Sequence, residues 1–129
     1  MTDILSSPYS NFLKLLKSEL WQTSLDLSLS HSEFLSVYDL ASKQAVLGMI
    51  AESLIRNNVS LERKDVMKVL AIQGRVATTN KAVNSELLSL SKLFTENDIE
   101  SVVVKGQTIG IYHPNPLART PGDIDFYCN

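Results

Sequence analysis

Apolar residues recur at helical spacing through most of residues 1–97. The pattern predicts a short helix over Asn11–Trp21, a longer helix from about Ser30 to Arg56, and a proline-free helix over Glu62–Glu96. Ser30 stands three residues before Glu33, which is the spacing of a capping box that satisfies the first free amides of a helix. Asn97 and Asp98 predict the end of the third helix and a turn.

The third predicted helix carries a row of mostly apolar residues that alternates steps of four and three: Val69, Gln73, Val76, Asn80, Val83, Leu87, Leu90 and Phe94. This row is a heptad-like seam with two polar interruptions. It could pair with a second chain in a coiled coil or pack against other elements of its own chain. Few charges flank it and Gly74 weakens the middle of the helix, so we favour packing within a monomer and keep oligomerisation through this helix as the alternative.

After the turn, the pattern changes from helical to extended. Ile99–Val104 is short and β-branched, which predicts a fully buried strand that Lys105-Gly106 ends. Gln107–Tyr112 can form a short helix, which the following prolines must end, and Asp123–Cys128 predicts a second strand. The sequence therefore predicts an α+β protein, with a helical region over residues 1–97 and the first strand, helix and strand of a mixed sheet over residues 98–129.

Composition narrows the possible functions and the expected location. The 129 residues are 44% apolar and 20% charged, as in ordinary globular proteins, and Trp21 and Tyr38 are candidates for the core. A net charge of −2 gives no electrostatic sign of nucleic-acid binding. No apolar run approaches the roughly 20 residues that a membrane span needs, and no signal peptide is recognisable. The only cysteine, Cys128, fits a reducing compartment, so we expect a cytoplasmic protein that does not engage a membrane.

The second predicted strand begins with two carboxylates. Alternate side chains of a strand share a face, so Asp123 and Asp125 should point the same way while Ile124 and Phe126 point into the core. Two carboxylates on one face suit a hard cation such as Mg²⁺, which proteins usually hold together with substrate phosphates. Upstream, Lys105 could bind a phosphate or extend from the end of its strand into solvent.

The last third of the chain resembles a known enzyme family. The residues concerned are Val102-Val-Val-Lys105-Gly106-Gln107, then Tyr112 with the nearby Pro114 and Pro116, and finally Arg119-x-x-Gly122-Asp123-Ile124-Asp125. They resemble nucleotidyltransferases of the DNA polymerase beta superfamily, in particular the bacterial family described as uncharacterised nucleotidyltransferase. The resemblance covers about residues 40–129, and its specific part is confined to Val102–Tyr127.

The resemblance implies a role for each motif residue. Asp123 and Asp125 match the paired catalytic carboxylates that bind Mg²⁺, with Mn²⁺ as the alternative ion, and an NTP is the substrate. Gly106 matches the glycine that lets the backbone approach nucleotide phosphates, and Gln107 takes a place where the superfamily commonly has serine. Lys105 and Arg119 complete the expected nucleotide-binding set, although Arg119 could instead pair with Asp123.

The resemblance also implies an activity and marks two departures. The expected reaction transfers a nucleoside monophosphate from an NTP to the hydroxyl of an unidentified acceptor. Fifteen residues separate Gln107 from Asp123, which is a longer spacing than is usual in the superfamily. A third acidic residue on a later strand completes the site in the superfamily, and no residue after Asp125 can supply it. We therefore expect an amino-terminal fragment whose turnover is weak or absent.

Two other functions fit parts of the pattern. Glycosyltransferases use Asp-x-Asp to hold Mn²⁺ and a nucleotide sugar, so the chain could be a fragment of such an enzyme. The helical region could also be a binding or scaffold module with a vestigial nucleotide site. Haloacid-dehalogenase-like phosphatases are excluded because their first aspartate directly follows an apolar strand, whereas Thr120-Pro121-Gly122 precedes Asp123 here.

Overall fold

Helices occupy most of the chain up to Glu96, and two short strands follow. The structure is a computed structural model and describes residues 8–129. Its elements are α1 (Pro8–Trp21), α2 (His31–Lys43), α3 (Leu47–Arg56), α4 (Arg63–Glu96), β1 (Ser101–Val104), α5 (Gly106–Gly110), a 3-10 helix (Pro116–Ala118) and β2 (Asp125–Cys128). This arrangement confirms the predicted α+β class, with a helical region that precedes the strands.

The described chain forms two compact units, residues 8–74 and residues 75–129. The long helix α4 begins in the first unit and continues into the second. None of the helices in residues 8–129 combines the length and the apolar character needed to cross a membrane.

The core of the first unit lies where α1, α2 and α3 face one another and the first turns of α4. Its fully buried apolar side chains include Leu15, Phe34, Val37 and Ile50. Burial of each such side chain contributes about 1.5–3 kcal/mol. A buried hydrogen bond also links α3 to α1: the Ser53 hydroxyl donates to the Leu15 carbonyl oxygen at 2.7 Å.

Charged groups also link the helices of the first unit. The Arg56 guanidinium pairs with the buried carboxylate of Glu19 at 3.2 Å, which joins α3 to α1. The His31 ring Nδ1 lies 3.0 Å from both carboxylate oxygens of Asp65, which joins the start of α2 to the start of α4.

The two aromatic residues predicted to lie in the core differ in burial. Tyr38 is half-buried beneath the Lys68 ammonium group. Trp21 is 67% exposed, so the prediction of a core role for Trp21 was wrong.

The predicted helix from Ser30 to Arg56 is divided in two, and this prediction was therefore wrong at its centre. Helix α2 ends at Lys43 and Ala45 adopts a left-handed backbone with φ 56°. The Ala45 amide donates to the Ser42 carbonyl oxygen and the Val46 amide donates to the Ala41 carbonyl oxygen. These two bonds form a Schellman motif, which satisfies the last carbonyl groups of α2. The position usually holds glycine, so the sequence carried no signal for the break.

The capping box at the start of α2 is confirmed. The Glu33 amide donates to the Ser30 hydroxyl at 3.2 Å, and the Ser30 amide donates to the Glu33 carboxylate at 3.0 Å. The predicted end of α4 is also confirmed, because the helix stops at Glu96 and Asp98 turns the chain with φ 56°.

The seam on α4 packs within its own chain. Val69 and Asn80 are buried, and the other six seam positions are half-buried. Phe94, the last of them, meets the ring of Phe126 edge to face at a centroid distance of 5.0 Å. The seam is therefore partly covered by its own chain, and pairing of this helix with a second chain stays an untested alternative.

The two strands form an antiparallel pair that is less buried than predicted. Ser101 lies opposite Cys128, and Val104 lies opposite Asp125. Val102 is 61% exposed, so the expectation of a fully buried first strand was wrong. Val103 and Val104 are half-buried, so none of the three valines of this strand is fully buried in the two-stranded sheet. The second strand begins at Asp125, two residues later than predicted.

Replacement of Ala45 by glycine should stabilise the protein. A left-handed alanine costs about 1–2 kcal/mol, and the added freedom of glycine in the unfolded chain offsets about 0.4–1 kcal/mol. We expect Ala45→Gly to raise the free energy of unfolding by up to about 1 kcal/mol in urea denaturation. The control Ala82→Gly, at an exposed position of α4, should lower it by about 0.5–1 kcal/mol. An equal decrease in the free energy of unfolding of both variants would contradict the left-handed conformation at Ala45.

The capping box should make part of the stability dependent on acid. The Ser30 backbone amide, and then its side chain, hold the pKa of Glu33 below the ordinary value of 4.5. A depressed pKa in the folded state stabilises the protein above pH 4.5, and this contribution is lost as the pH falls through the folded-state pKa. Glu33→Gln keeps an acceptor for the Ser30 amide but does not titrate.

A series of urea denaturations across this pH range measures the effect. The free energy of unfolding of Glu33→Gln should fall less steeply with acid than that of the parent protein. The control Glu86→Gln changes an exposed glutamate on α4 and should retain the parent's pH dependence. A parent-like acid dependence in Glu33→Gln would show that the capping box does not titrate.

Candidate functional site

The turn after β1 brings the backbone close to the segment that carries the acidic pair. Lys105 has φ 58° and ψ −154°, and Gly106 has φ 44°. A Cβ added at Gly106 would lie 3.4 Å from the backbone oxygen of Asp123. The turn therefore lies close to the acidic segment, with room for little more than a Cβ between them, and any other residue at position 106 would adopt a strained backbone.

The two aspartates lie at the start of the second strand: Asp125 is its first residue, and Asp123 lies two residues before it. Asp123 and Asp125 are exposed, whereas Ile124 and Phe126 between and after them are half-buried. Exposure thus alternates from residue to residue, as it does in extended backbone with one covered face. Asp125 lies opposite Val104, the residue directly before the Lys105-Gly106 turn. Strand pairing thus places the acidic pair beside that turn. The spacing of the motifs in the sequence could not establish this proximity.

Gln107 and Arg119, both predicted to bind nucleotide, contact each other. Arg119 Nη1 donates to Gln107 Oε1 at 3.3 Å, and the Cβ that Gly110 lacks would lie 3.4 Å from Arg119 Cδ. The alternative pairing of Arg119 with Asp123 is not found among the ion pairs of residues 8–129. Arg119 is half-buried, so it is neither enclosed in the core nor fully free in solvent.

Two asparagines of α4, which the sequence analysis did not assign to the site, support these residues. Gln107 Nε2 donates to Asn84 Oδ1 at 2.6 Å and lies 3.4 Å from Asn80 Oδ1. Asn80 Nδ2 lies 2.8 Å from the Leu117 carbonyl oxygen and 2.6 Å from that of Arg119. One feature of the sequence could have pointed to these asparagines. Asn80 is a polar residue in a largely apolar seam, and Asn84 follows it one helical turn later.

The charged groups of the site are accessible. Lys105, Asp123 and Asp125 are exposed, and within residues 8–129 none of them takes part in an ion pair. Two exposed carboxylates two residues apart fit a hard divalent cation that retains water or phosphate oxygens as its other ligands. The lysine and arginine beside them can balance the charge of a phosphate chain.

A second group of metal-ligand side chains lies in the first unit. Ligand atoms of His31, Glu62 and Asp65 come within 4.8 Å of one another. His31 Nδ1 already donates a hydrogen bond to the buried Asp65 carboxylate, and Glu62 pairs with Lys64 at 3.6 Å. These contacts account for the cluster as a link between the starts of α2 and α4.

The backbone at Lys105 should be strained. Its combination of φ and ψ is adopted almost only by glycine, and other residues there cost about 1–3 kcal/mol. We expect Lys105→Gly to raise the free energy of unfolding by about 1 kcal/mol in urea denaturation, because the loss of strain exceeds the added freedom of the unfolded chain. Lys81→Gly, at an exposed helical position, should lower it by about 1 kcal/mol. Destabilisation of both variants would rule out strain at Lys105.

Comparison with known proteins identifies the family. The family model described as uncharacterised nucleotidyltransferase matches residues 30–129, a span that begins at the capping box of α2 and includes every residue of the candidate site. The resemblance carried by the sequence motifs is thereby confirmed, and the match extends it to residue 30. No curated protein and no solved structure matches the chain. Because the match covers well over half of the 129 residues, the chain belongs to the uncharacterised nucleotidyltransferase family.

Proposed function

We propose that the second unit binds an NTP with Mg²⁺ for transfer of a nucleoside monophosphate to an acceptor hydroxyl. The observation that carries this proposal is the close approach of the Gly106 turn to the backbone of Asp123, where an added Cβ would lie 3.4 Å from the Asp123 oxygen. This approach brings the segment suited to phosphate near the segment suited to a cation. Membership in a nucleotidyltransferase family supports the same reaction class.

The aspartates carry the proposed metal site. Asp123 and Asp125 would hold Mg²⁺, or Mn²⁺ in its place, through carboxylate oxygens on the exposed face of the strand. The ion, when bound, would neutralise charge on the phosphate chain and stabilise the departing pyrophosphate. The acceptor oxygen would form a bond to the α-phosphorus while the bond from that phosphorus to the bridging oxygen of pyrophosphate breaks.

Three further residues would bind and orient the nucleotide. The absence of a side chain at Gly106 lets the phosphate chain approach the backbone of the turn closely. Lys105 would act as an exposed positive charge beside the phosphates. Arg119, which Gln107 holds at 3.3 Å, would direct its remaining N–H groups toward phosphate oxygens, a geometry that guanidinium groups favour.

Loss of one carboxylate should weaken metal-dependent nucleotide binding. We expect Asp123→Asn and Asp125→Asn each to weaken the binding of a non-hydrolysable NTP in the presence of Mg²⁺ at least about tenfold, because a charged ligand contributes about 1.5–3 kcal/mol. Isothermal titration calorimetry with and without Mg²⁺ measures this effect. The repetition of the titration with Mn²⁺ tests the alternative ion.

A matched control separates the metal site from a general effect of charge. Asp98→Asn makes the same chemical change at another exposed aspartate of the second unit, where the turn after α4 tolerates asparagine in its left-handed conformation. This variant should bind like the parent protein. Parent-like binding by Asp123→Asn and Asp125→Asn would overturn the proposed metal site.

A further inference from the structure

Asn80 is a buried amide in a helix face that is otherwise largely apolar. Its residue surface is 1% exposed, which makes it one of the most deeply buried side chains described. Its Nδ2 lies 3.1 Å from the Val76 carbonyl oxygen, 2.8 Å from that of Leu117 and 2.6 Å from that of Arg119. Asn80 therefore holds the backbone of the segment that leads into Gly122 and Asp123.

The other end of the same amide faces Gln107. Asn80 Oδ1 lies 3.4 Å from Gln107 Nε2, which also donates to Asn84 at 2.6 Å. Gln107 in turn accepts from the Arg119 guanidinium. Arg119 is thus fixed at two points: Asn80 holds its backbone oxygen, and Gln107, itself held by Asn80 and Asn84, orients its side chain.

This network restricts the position of Arg119 more than packing alone would. The bonds from Asn80 to the Arg119 carbonyl oxygen and from Gln107 to Asn84 are short, at 2.6 Å each. The contacts of Gln107 with Asn80 and with the Arg119 guanidinium are longer, at 3.4 and 3.3 Å. Hydrogen bonds depend steeply on angle, whereas apolar contacts tolerate sliding and rotation. An apolar residue would suit the seam and its burial, but it would leave two carbonyl oxygens of the 117–119 segment without a donor. Among the hydrogen bonds of residues 8–129, the Arg119 guanidinium makes one, so most of its N–H groups remain available for an anion.

We propose that Asn80 is a positioning residue that orients Arg119 for the phosphate chain of the nucleotide, with Gln107 as the intermediate contact. This inference rests on the proposed function, because it assigns Arg119 to a bound triphosphate. Asn80 does not contact the nucleotide in this proposal. Its effect on binding passes through Arg119.

The test is a double-mutant cycle on nucleotide affinity. Asn80→Ala and Arg119→Ala should each weaken the binding of a non-hydrolysable NTP with Mg²⁺ about tenfold or more. The double variant should bind no more than about twofold more weakly than Arg119→Ala alone, since contacts in one network are not additive. Asn97→Ala removes a comparable amide bond, from Asn97 Nδ2 to the Leu93 carbonyl oxygen, outside the network and should bind like the parent protein.

A second readout separates positioning from a general loss of structure. Mn²⁺ alone, measured by electron paramagnetic resonance, should bind Asn80→Ala as tightly as it binds the parent protein, because the aspartates do not need Arg119. If Asn80→Ala does not fold, as judged by circular dichroism, the same cycle is carried out with Asn84→Ala, which removes only the bond to Gln107. We expect the same lack of additivity with Arg119→Ala in that cycle.

The outcomes distinguish this inference from the proposed function. A parent protein that binds no nucleotide in an Asp123-dependent manner overturns both. The positioning role alone is overturned if the parent binds nucleotide in an Asp123-dependent manner and Asn80→Ala has the same affinity as the parent. It is also overturned if the effects of Asn80→Ala and Arg119→Ala on affinity are additive. A parallel loss of Mn²⁺ and nucleotide affinity in the folded asparagine variant also overturns it, because that result indicates a structural role.

Discussion

The antiparallel pairing of β1 with β2 is the interaction on which the candidate site depends. Its register sets Asp125 opposite Val104, next to the Lys105-Gly106 turn. A slip of one residue would move the carboxylates to the face that Phe126 occupies. The edge-to-face contact of Phe126 with Phe94 favours the observed register, because it covers an apolar ring that the slipped strand would expose. Apolar packing on one face thus keeps the carboxylates on the other.

Helix α4 supports the second unit by two kinds of contact. Near its end, Phe94 packs against the sheet through an aromatic ring. About three to four turns earlier along the helix, Asn84 holds Gln107 and Asn80 holds the segment before Gly122 through hydrogen bonds of 2.6–2.8 Å. The first contact supplies stability, and the second supplies orientation. Together they explain why a seam that buries apolar residues also contains a buried amide.

Left-handed backbone occurs in both units but has different consequences. Ala45 is exposed and joins α2 to α3, where the hydrogen bonds of a Schellman motif compensate for its conformation. Lys105 lies between a strand and a short helix, and the Gly106 that follows it lies close to the backbone of Asp123. Strain at the first position only ends a helix. At the second position it helps to assemble the candidate site, where strained residues are commonly found.

The sequence by itself determined the features that depend on local periodicity and residue type: the helical region, the capping box of Ser30 and Glu33, the buried face of α4, and the alternation of Asp123 and Asp125 with apolar residues. Its motifs also indicated the family that the comparison confirmed. Only the tertiary structure decided the break at Ala45, the exposure of Val102 and the support of Gln107 and Arg119 by Asn80. The break between α2 and α3 depends on backbone hydrogen bonds, which are not tied to a particular residue type. The exposure of Val102 depends on which faces of the sheet other elements cover. The support joins residues far apart in sequence, so it exists only once the chain has folded.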